Sequence, residues 1–162
     1  MTSRMALVNK IAKLATSANY QLATAESCTG GGIAKALTEV AGSSAWFTSG
    51  LVTYSNLAKQ NLLGVAKTTI EKQGAVSEAV VKAMVQGACK RSSANLAVAV
   101  SGVAGPGGGS PEKPVGTVWL AWGTSEQQLA KLFNFTGDRR QVREASIDKA
   151  LEGLLDWLEK SI

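Results

Sequence analysis

Apolar residues recur at helical spacing near the start of the chain, at Leu7, Ile11, Leu14 and Ala18, which predicts a helix over residues 4–18. This stretch is basic and amphipathic, as transit peptides are, but it runs without a break into a strand-like segment, "YQLATAE", over 20–26. It is therefore read as a first helix packed on a sheet. Glycines then interrupt the pattern, and a helix is expected over about 30–40, closed by Gly42. Residues 49–54 read as a strand. A short helix follows, with Ser55 or Asn56 as its N-cap and Gly64 as its stop. Residues 68–73 add a further turn, and Ser77 caps a helix running to about 91. "NLAVAVSG" is almost wholly apolar, the pattern of a strand covered on both faces. "VAGPGGGSPEKP" is a loop by composition. Residues 115–123 and 128–135 form two strands joined by a hairpin around Gly123 to Glu126, and a last helix runs from near Asp138 to about 159. Strands alternating with helices, then a late hairpin, predict an α/β fold: a three-layer α/β/α sandwich with a mixed central sheet. No repeat or long linker divides the chain, so a single domain over 1–162 is expected.

Composition narrows the chemistry. The formal charge of +5 suits an anionic small molecule and is modest for a nucleic-acid binder. The four tryptophans, Trp46, Trp119, Trp122 and Trp157, do not interleave with basic runs, so no base-stacking platform and no direct nucleic-acid partner is expected. Cys28 and Cys89 make no disulfide framework, which points to the reducing cytoplasm. No stretch approaches the ~20 apolar residues of a membrane span. There is no histidine. Serine–histidine and cysteine–histidine catalysis are excluded, and so are histidine metal ligands. A base must come from Lys, Asp, Glu, Tyr or a terminal amine, and no metal site is expected.

Four segments carry candidate chemistry. In "AESCTGGG" a strand ends, glycines follow and a helix begins, a setting whose free N–H groups suit an anion or a developing oxyanion. Ser27 at that turn reads either as a nucleophile facing a cleft or, with Thr29, as a helix cap. Cys28 is a rival nucleophile or a small buried hydrophobe. In "YSNLAK", Lys59 falls in the first turn of a helix if Asn56 is the cap. The helix dipole there disfavours the ammonium, lowers its pKa and suits it to act as a base; the alternative is a solvated surface lysine. Tyr54 is a hydrogen-bond donor, a stacking ring or an ordinary strand aromatic. The loop "SGVAGPGGGSPEKPVGT" follows the most buried strand, where open α/β sheets bind ligands, and the amides of Gly102, Val103, Ala104 and Gly105 are candidates to approach one. In "GDRRQVR", Asp138 and Gln141 resemble a capping box, while Arg139, Arg140 and Arg143 crowd a helix start. A bound phosphate would offset that crowding. Arg143 precedes Ile147 by one turn, on the face continuing through Leu151, Leu154 and Leu158, so it points inward; an ion pair with Asp138 or Glu144 is the other reading.

Taken together, these segments resemble the CinA C-terminal domain family, the nicotinamide-mononucleotide deamidases. The likeness rests on "AESCTGG", "VTYSNLAK", "GAVSE", "SGVAGPGGGSPEKPVGTV" and "GDRRQVR" and spans roughly residues 20–155. Members often carry an additional molybdopterin-binding-like domain, and this sequence looks like the stand-alone form. The resemblance implies hydrolysis of nicotinamide mononucleotide to nicotinate mononucleotide and ammonia, with no metal or organic cofactor, in a cytoplasmic homo-oligomer expected to be a dimer. It implies Ser27 as nucleophile, Lys59 as base and Tyr54 as a catalytic partner. It places substrate contacts at Cys28, Thr29, Gly30, Gly31 and Asn56, along Gly102 to Gly105, and at Arg143 with Arg139 nearby for the phosphate. Val103 supplies no hydroxyl at its loop position. The apolar residues around Trp46 and Phe47 are assigned either to a dimer face or to the core. Two other classes stay open: a non-catalytic module that binds a nucleotide or a competence-linked partner, and an amidohydrolase of another substrate.

Overall fold

In the computed structural model, which describes residues 3–161, the order of elements follows the periodicities above. They are α1 (Arg4–Ser17), β1 (Leu22–Glu26), α2 (Gly32–Leu37), a 3-10 turn (Ser43–Ala45), β2 (Phe47–Val52) and α3 (Asn56–Leu63). There follow α4 (Lys67–Gln73), α5 (Glu78–Ser92), β3 (Leu96–Gly102), β4 (Thr117–Gly123), β5 (Gln128–Asn134) and α6 (Arg139–Ser161). The strands form one sheet in the order β2–β1–β3–β4–β5. β2, β1 and β3 are parallel, whereas β4 and β5 join antiparallel, so the sheet is mixed.

Side-chain size alternates along β3. Leu96, Val98 and Val100 enter the core beneath α1, α2 and α6; Ala97 and Ala99 face the core beneath α3, α4 and α5. Full burial of each large aliphatic side chain contributes about 1.5–3 kcal/mol. The small residues on the other face leave α5 room to pack closely. Close approach is also built into Gly87 of α5, where a Cβ would stand 1.9 Å from the carbonyl oxygen of Leu63 in α3. Both faces are covered, which is the three-layer α/β/α arrangement. Among the described residues, no helix is long and apolar enough to cross a membrane.

Several boundaries differ from the sequence reading. α2 ends at Leu37, and Gly42 lies beyond it, in left-handed conformation ahead of the 3-10 turn. The Thr38 hydroxyl donates to Ala34 O at 2.9 Å, giving the chain an earlier exit. On α1 the buried stripe is Leu7, Val8, Ile11 and Ala15, with Leu14 and Ala18 only partly covered, because α1 packs largely against α6. Trp46 is buried and the partly buried Phe47 packs on the same core, in line with the core assignment of the two that the sequence offered.

The topology locates a crevice. From β1 the chain steps outward to β2, then crosses through α3, α4 and α5 to β3 on the other side of β1. The carboxyl ends of β1 and β3 therefore diverge at a switch point, where such sheets hold their ligands.

Candidate active site

Ser27 directly follows β1 at this switch point, and its amide donates to Val100 O of β3 at 3.0 Å. The Gly30 amide donates back to Ser27 O at 3.0 Å and closes a tight turn. Gly30 and Gly31 both have positive φ, at 59° and 100°, which a side chain resists and glycine does not. With Gly31 at the N-cap there is no side chain to cap α2. Glu26 takes over that role from the end of β1. Its fully buried carboxylate accepts from Ile33 N at 2.9 Å and Ala34 N at 3.0 Å, and the Thr29 hydroxyl also donates to it. One buried anion thus ties the Ser27 turn to the helix dipole.

Lys59 arrives from α3. Ser55, not Asn56, is the N-cap, with its hydroxyl accepting from Ala58 N at 3.0 Å. Lys59 therefore sits one residue deeper than an Asn56 cap implies. Its side chain is only 1% exposed, although lysine almost always reaches water. Nζ donates to Ser27 Oγ at 3.1 Å and to Thr53 O at 3.0 Å. Thr53 N in turn donates to Glu26 O at 2.8 Å, so the residue before the serine also sets the shelf on which the lysine rests. Burial lowers the Lys59 pKa, partly opposed by attraction to Cys28. The uncharged amine is then accessible nearer neutrality. It has two N–H bonds and one lone pair, and with Thr53 O taking an N–H the lone pair is available to the serine hydroxyl. Burial pushes the Cys28 thiol up to about 11, and among the described residues no hydrogen bond joins it to Lys59, whose Nζ meets Ser27 Oγ instead.

These groups open onto a cleft of about 290 Å³ lined by Ser27, Cys28, Tyr54, Asn56, Lys59, Gly102, Val103, Ala104, Gly105 and Arg139. Ala75, Val76, Ser101, Gly107 and Gly108 complete the wall. Val76 precedes the cap of α5, and Ser101 is the last but one residue of β3. Sequence reasoning passed over these five as site residues, although the segments holding them were visible. A second groove of about 300 Å³, between the end of α6 and the β4–β5 hairpin, is framed by Trp122 and Trp157, and the hydroxyl of its Ser161 donates to Trp157 O at 2.7 Å.

At the mouth, Arg139 donates from Nη1 to Gly105 O at 2.9 Å and from Nη2 to Tyr54 Oη at 2.7 Å. A cation is thereby held across the cleft, between the glycine loop and the β2–α3 junction. Asp138 and Gln141 do form the expected capping box, through Gln141 N to Asp138 Oδ1 at 2.9 Å and Asp138 N to Gln141 Oε1 at 2.8 Å.

Four expected substrate contacts do not line the cleft: Thr29, Gly30, Gly31 and Arg143. Arg143 stands behind the serine turn and donates from Nε to Cys28 O at 3.1 Å and from Nη2 to Thr29 O at 3.4 Å. It is not paired with Glu144, which instead meets Arg4 at 2.7 Å. Gly31 packs toward Val52, where a Cβ would lie 3.5 Å from Cγ2. In the glycine loop, the Val103 amide is taken by Thr117 O at 2.8 Å, so it is no ligand donor. Gly102 is required by packing: a Cβ there would meet Val118 Cγ2 at 2.6 Å and Thr117 O at 2.9 Å.

Comparisons with known proteins bear on the family and the fold. The model of the CinA C-terminal domain family matches residues 4–158. The nicotinamide-nucleotide amidohydrolase PncC of Pseudomonas putida is 59% identical over 137 residues, covering 85% of this chain and 86% of that protein. The protein of the same name from Escherichia coli is 48% identical over 151 residues, covering 93% of this chain and 92% of its own. The crystal structure of competence damage-inducible protein A from Klebsiella pneumoniae superposes with a TM-score of 0.94 at 39% identity, covering 98% of both chains.

Proposed function

The chain belongs to the CinA C-terminal domain family, and from that premise we propose that it is a nicotinamide-nucleotide amidohydrolase, converting nicotinamide mononucleotide and water to nicotinate mononucleotide and ammonia. The observation that carries the reading is the buried Lys59 Nζ standing 3.1 Å from Ser27 Oγ at the base of the cleft. The relatives from Pseudomonas putida and Escherichia coli, matched over most of both chains, bear the name of this activity.

In the mechanism we propose, uncharged Lys59 accepts the Ser27 hydroxyl proton as Oγ bonds to the carboxamide carbon. The carbonyl electron pair moves onto oxygen. Among the described residues, no hydrogen bond engages the amide of Cys28, which lines the cleft, or that of Thr29, buried just behind it, and these are the donors assigned to that oxyanion in this mechanism. The tetrahedral adduct collapses, the C–N bond breaks, and Lys59 returns its proton to the departing nitrogen, releasing ammonia. A nicotinoyl ester remains on Ser27. Water gives a proton to Lys59 and attacks the ester carbon; Ser27 leaves, regains the proton, and nicotinate mononucleotide is freed. The cationic pyridinium of the substrate reinforces the burial that keeps Lys59 neutral. Arg139, presented at the mouth with Tyr54, is the cation best placed for the 5′-phosphate. Both cysteines are free and buried, in keeping with a cytoplasmic enzyme.

The test is ammonia release from nicotinamide mononucleotide by the purified chain and by its Ser27→Ala and Lys59→Met variants. Loss of about 10³-fold or more is expected in each, as for removal of a nucleophile or its base. Near-parental rates in both variants would remove the dyad. Binding without ammonia release by the parent would favour a non-catalytic module.

A further inference from the structure

The serine turn is held from behind by a cation. Arg143 comes from α6, and among the described residues no carboxylate lies within salt-bridge distance of it. Its donors go to two backbone carbonyls in the same turn, Cys28 O and Thr29 O. Gly30 admits the guanidinium, since a Cβ there would stand 3.2 Å from Nη2.

A trans peptide carries its C=O and N–H in opposite directions. The carbonyl of Cys28 shares its peptide with the amide of Thr29, so that N–H is directed away from Arg143. Thr29 is buried, at 2% exposure, and its amide has no acceptor among the described residues. Buried backbone donors without partners are rare. The next amide, Gly30 N, is already spent on Ser27 O. Arg143 is itself absent from the cleft walls, so a substrate phosphate in the cleft would meet Arg139 first.

Resting on the proposed amidohydrolase reading, we propose that Arg143 is a positioning residue of the oxyanion site: by binding Cys28 O and Thr29 O it fixes the Cys28–Thr29 peptide with its N–H toward the reacting carbonyl oxygen, and polarises that peptide so the donor is stronger. A cation on a carbonyl withdraws charge through the amide, and charge-assisted bonds are the stronger kind. Catalysis gains because the donor is in place before charge develops.

The experiment compares Arg143→Gln and Arg143→Lys with the parent and with Arg139→Met, using nicotinamide mononucleotide and its dephosphorylated nucleoside. Removing one oxyanion donor outright costs about 10²–10³ in kcat, so weakening and loosening one should cost about 10- to 100-fold in Arg143→Gln. The loss should fall on kcat, with KM little changed and the same factor for both substrates. Arg143→Lys, which keeps the charge, should recover part of it. Arg139→Met should instead raise KM for the phosphorylated substrate alone. A rise in KM confined to the phosphorylated substrate in Arg143→Gln would overturn the assignment and make Arg143 a phosphate ligand. So would an unchanged kcat.

A second readout does not depend on the substrate. Ser27 labelling by a fluorophosphonate, followed by intact mass, places a phosphoryl oxygen in the same oxyanion position. Arg143→Gln that melts like the parent should label about 10-fold more slowly or worse; equal labelling overturns the proposal. A parent that labels Ser27 yet releases no ammonia defeats the amidohydrolase reading and leaves the labelling comparison to decide Arg143. A parent that does neither defeats both.

Discussion

Substituting Glu26 by glutamine isolates the buried anion beneath the serine turn. The side chain is fully buried, and three donors converge on its two oxygens: the Thr29 hydroxyl and Ile33 N on Oε1, and Ala34 N on Oε2. Glutamine has the same length and nearly the same volume, so no cavity opens. One oxygen, however, becomes an NH₂. The Thr29 hydroxyl can rotate and adapt, but the two backbone N–H groups cannot. Whichever way the amide is turned, one N–H of α2 faces another donor. A buried donor left without a partner costs about 1–3 kcal/mol. Loss of the negative charge at the N-terminus of α2 adds about 0.3–1 kcal/mol. The sum is roughly 1.5–4 kcal/mol. For a domain of this size each kcal/mol moves Tm by about 2–4 °C, so a fall of about 3–16 °C is expected. Thermal unfolding followed by circular dichroism at fixed pH, with urea unfolding as a check, measures it. The kcat for ammonia release should fall as well, because the turn that carries Ser27, Cys28 and Thr29 loses an anchor. A Tm within about 1 °C of the parent would refute the view that this carboxylate caps α2 and secures the turn.

Four further outcomes are expected. The Lys59 pKa is lowered by burial, so the acid limb of kcat/KM against pH should have its midpoint below the ordinary lysine value of 10.5, and a limb centred at or above that value would contradict a buried base. In linkage terms the unfolded chain holds more protons than the folded one between the lowered pKa and 10.5, so stability rises with pH across that window and the cost is fully present below it; Lys59→Met should accordingly raise Tm at neutral pH while abolishing turnover, and a lower Tm would count against the argument. Cys28→Ala should keep kcat within about 10-fold of the parent, since a thiol pushed up to about 11 supplies no thiolate, and loss on the scale of Ser27→Ala would reinstate Cys28 as nucleophile. Gly87→Ala drives a Cβ to 1.9 Å from Leu63 O, a backbone atom that cannot yield cheaply, so destabilisation of about 1–3 kcal/mol or more is expected in urea titration, and a neutral result would mean that α3 and α5 separate more freely than their packing suggests.

Much of the fold was legible because its rules act within a turn or two. Ser55, Gly64 and Ser77 mark their helix ends through side chains and conformations that need no distant partner. The apolar run of β3 already carried the information that both of its faces are covered. The absence of histidine left Lys, Asp, Glu, Tyr or a terminal amine as the base before any distance was known, and the family resemblance, not elimination, paired Lys59 with Ser27. Tertiary structure decided the rest. Arg139 and Arg143 are four residues apart in one helix and Arg143 was the expected phosphate ligand with Arg139 nearby, yet Arg139 spans the mouth of the cleft and Arg143 braces the serine turn from behind, 115 residues away along the chain. Glu26 appeared only as a flanking residue, because a carboxylate that caps a helix from the end of a strand leaves no local pattern. The Thr53 carbonyl under Lys59 and the Leu63 carbonyl against Gly87 were equally unreadable. Periodicity states which face a residue is on, whereas which neighbour meets that face depends on where the crossover places the next strand and helix.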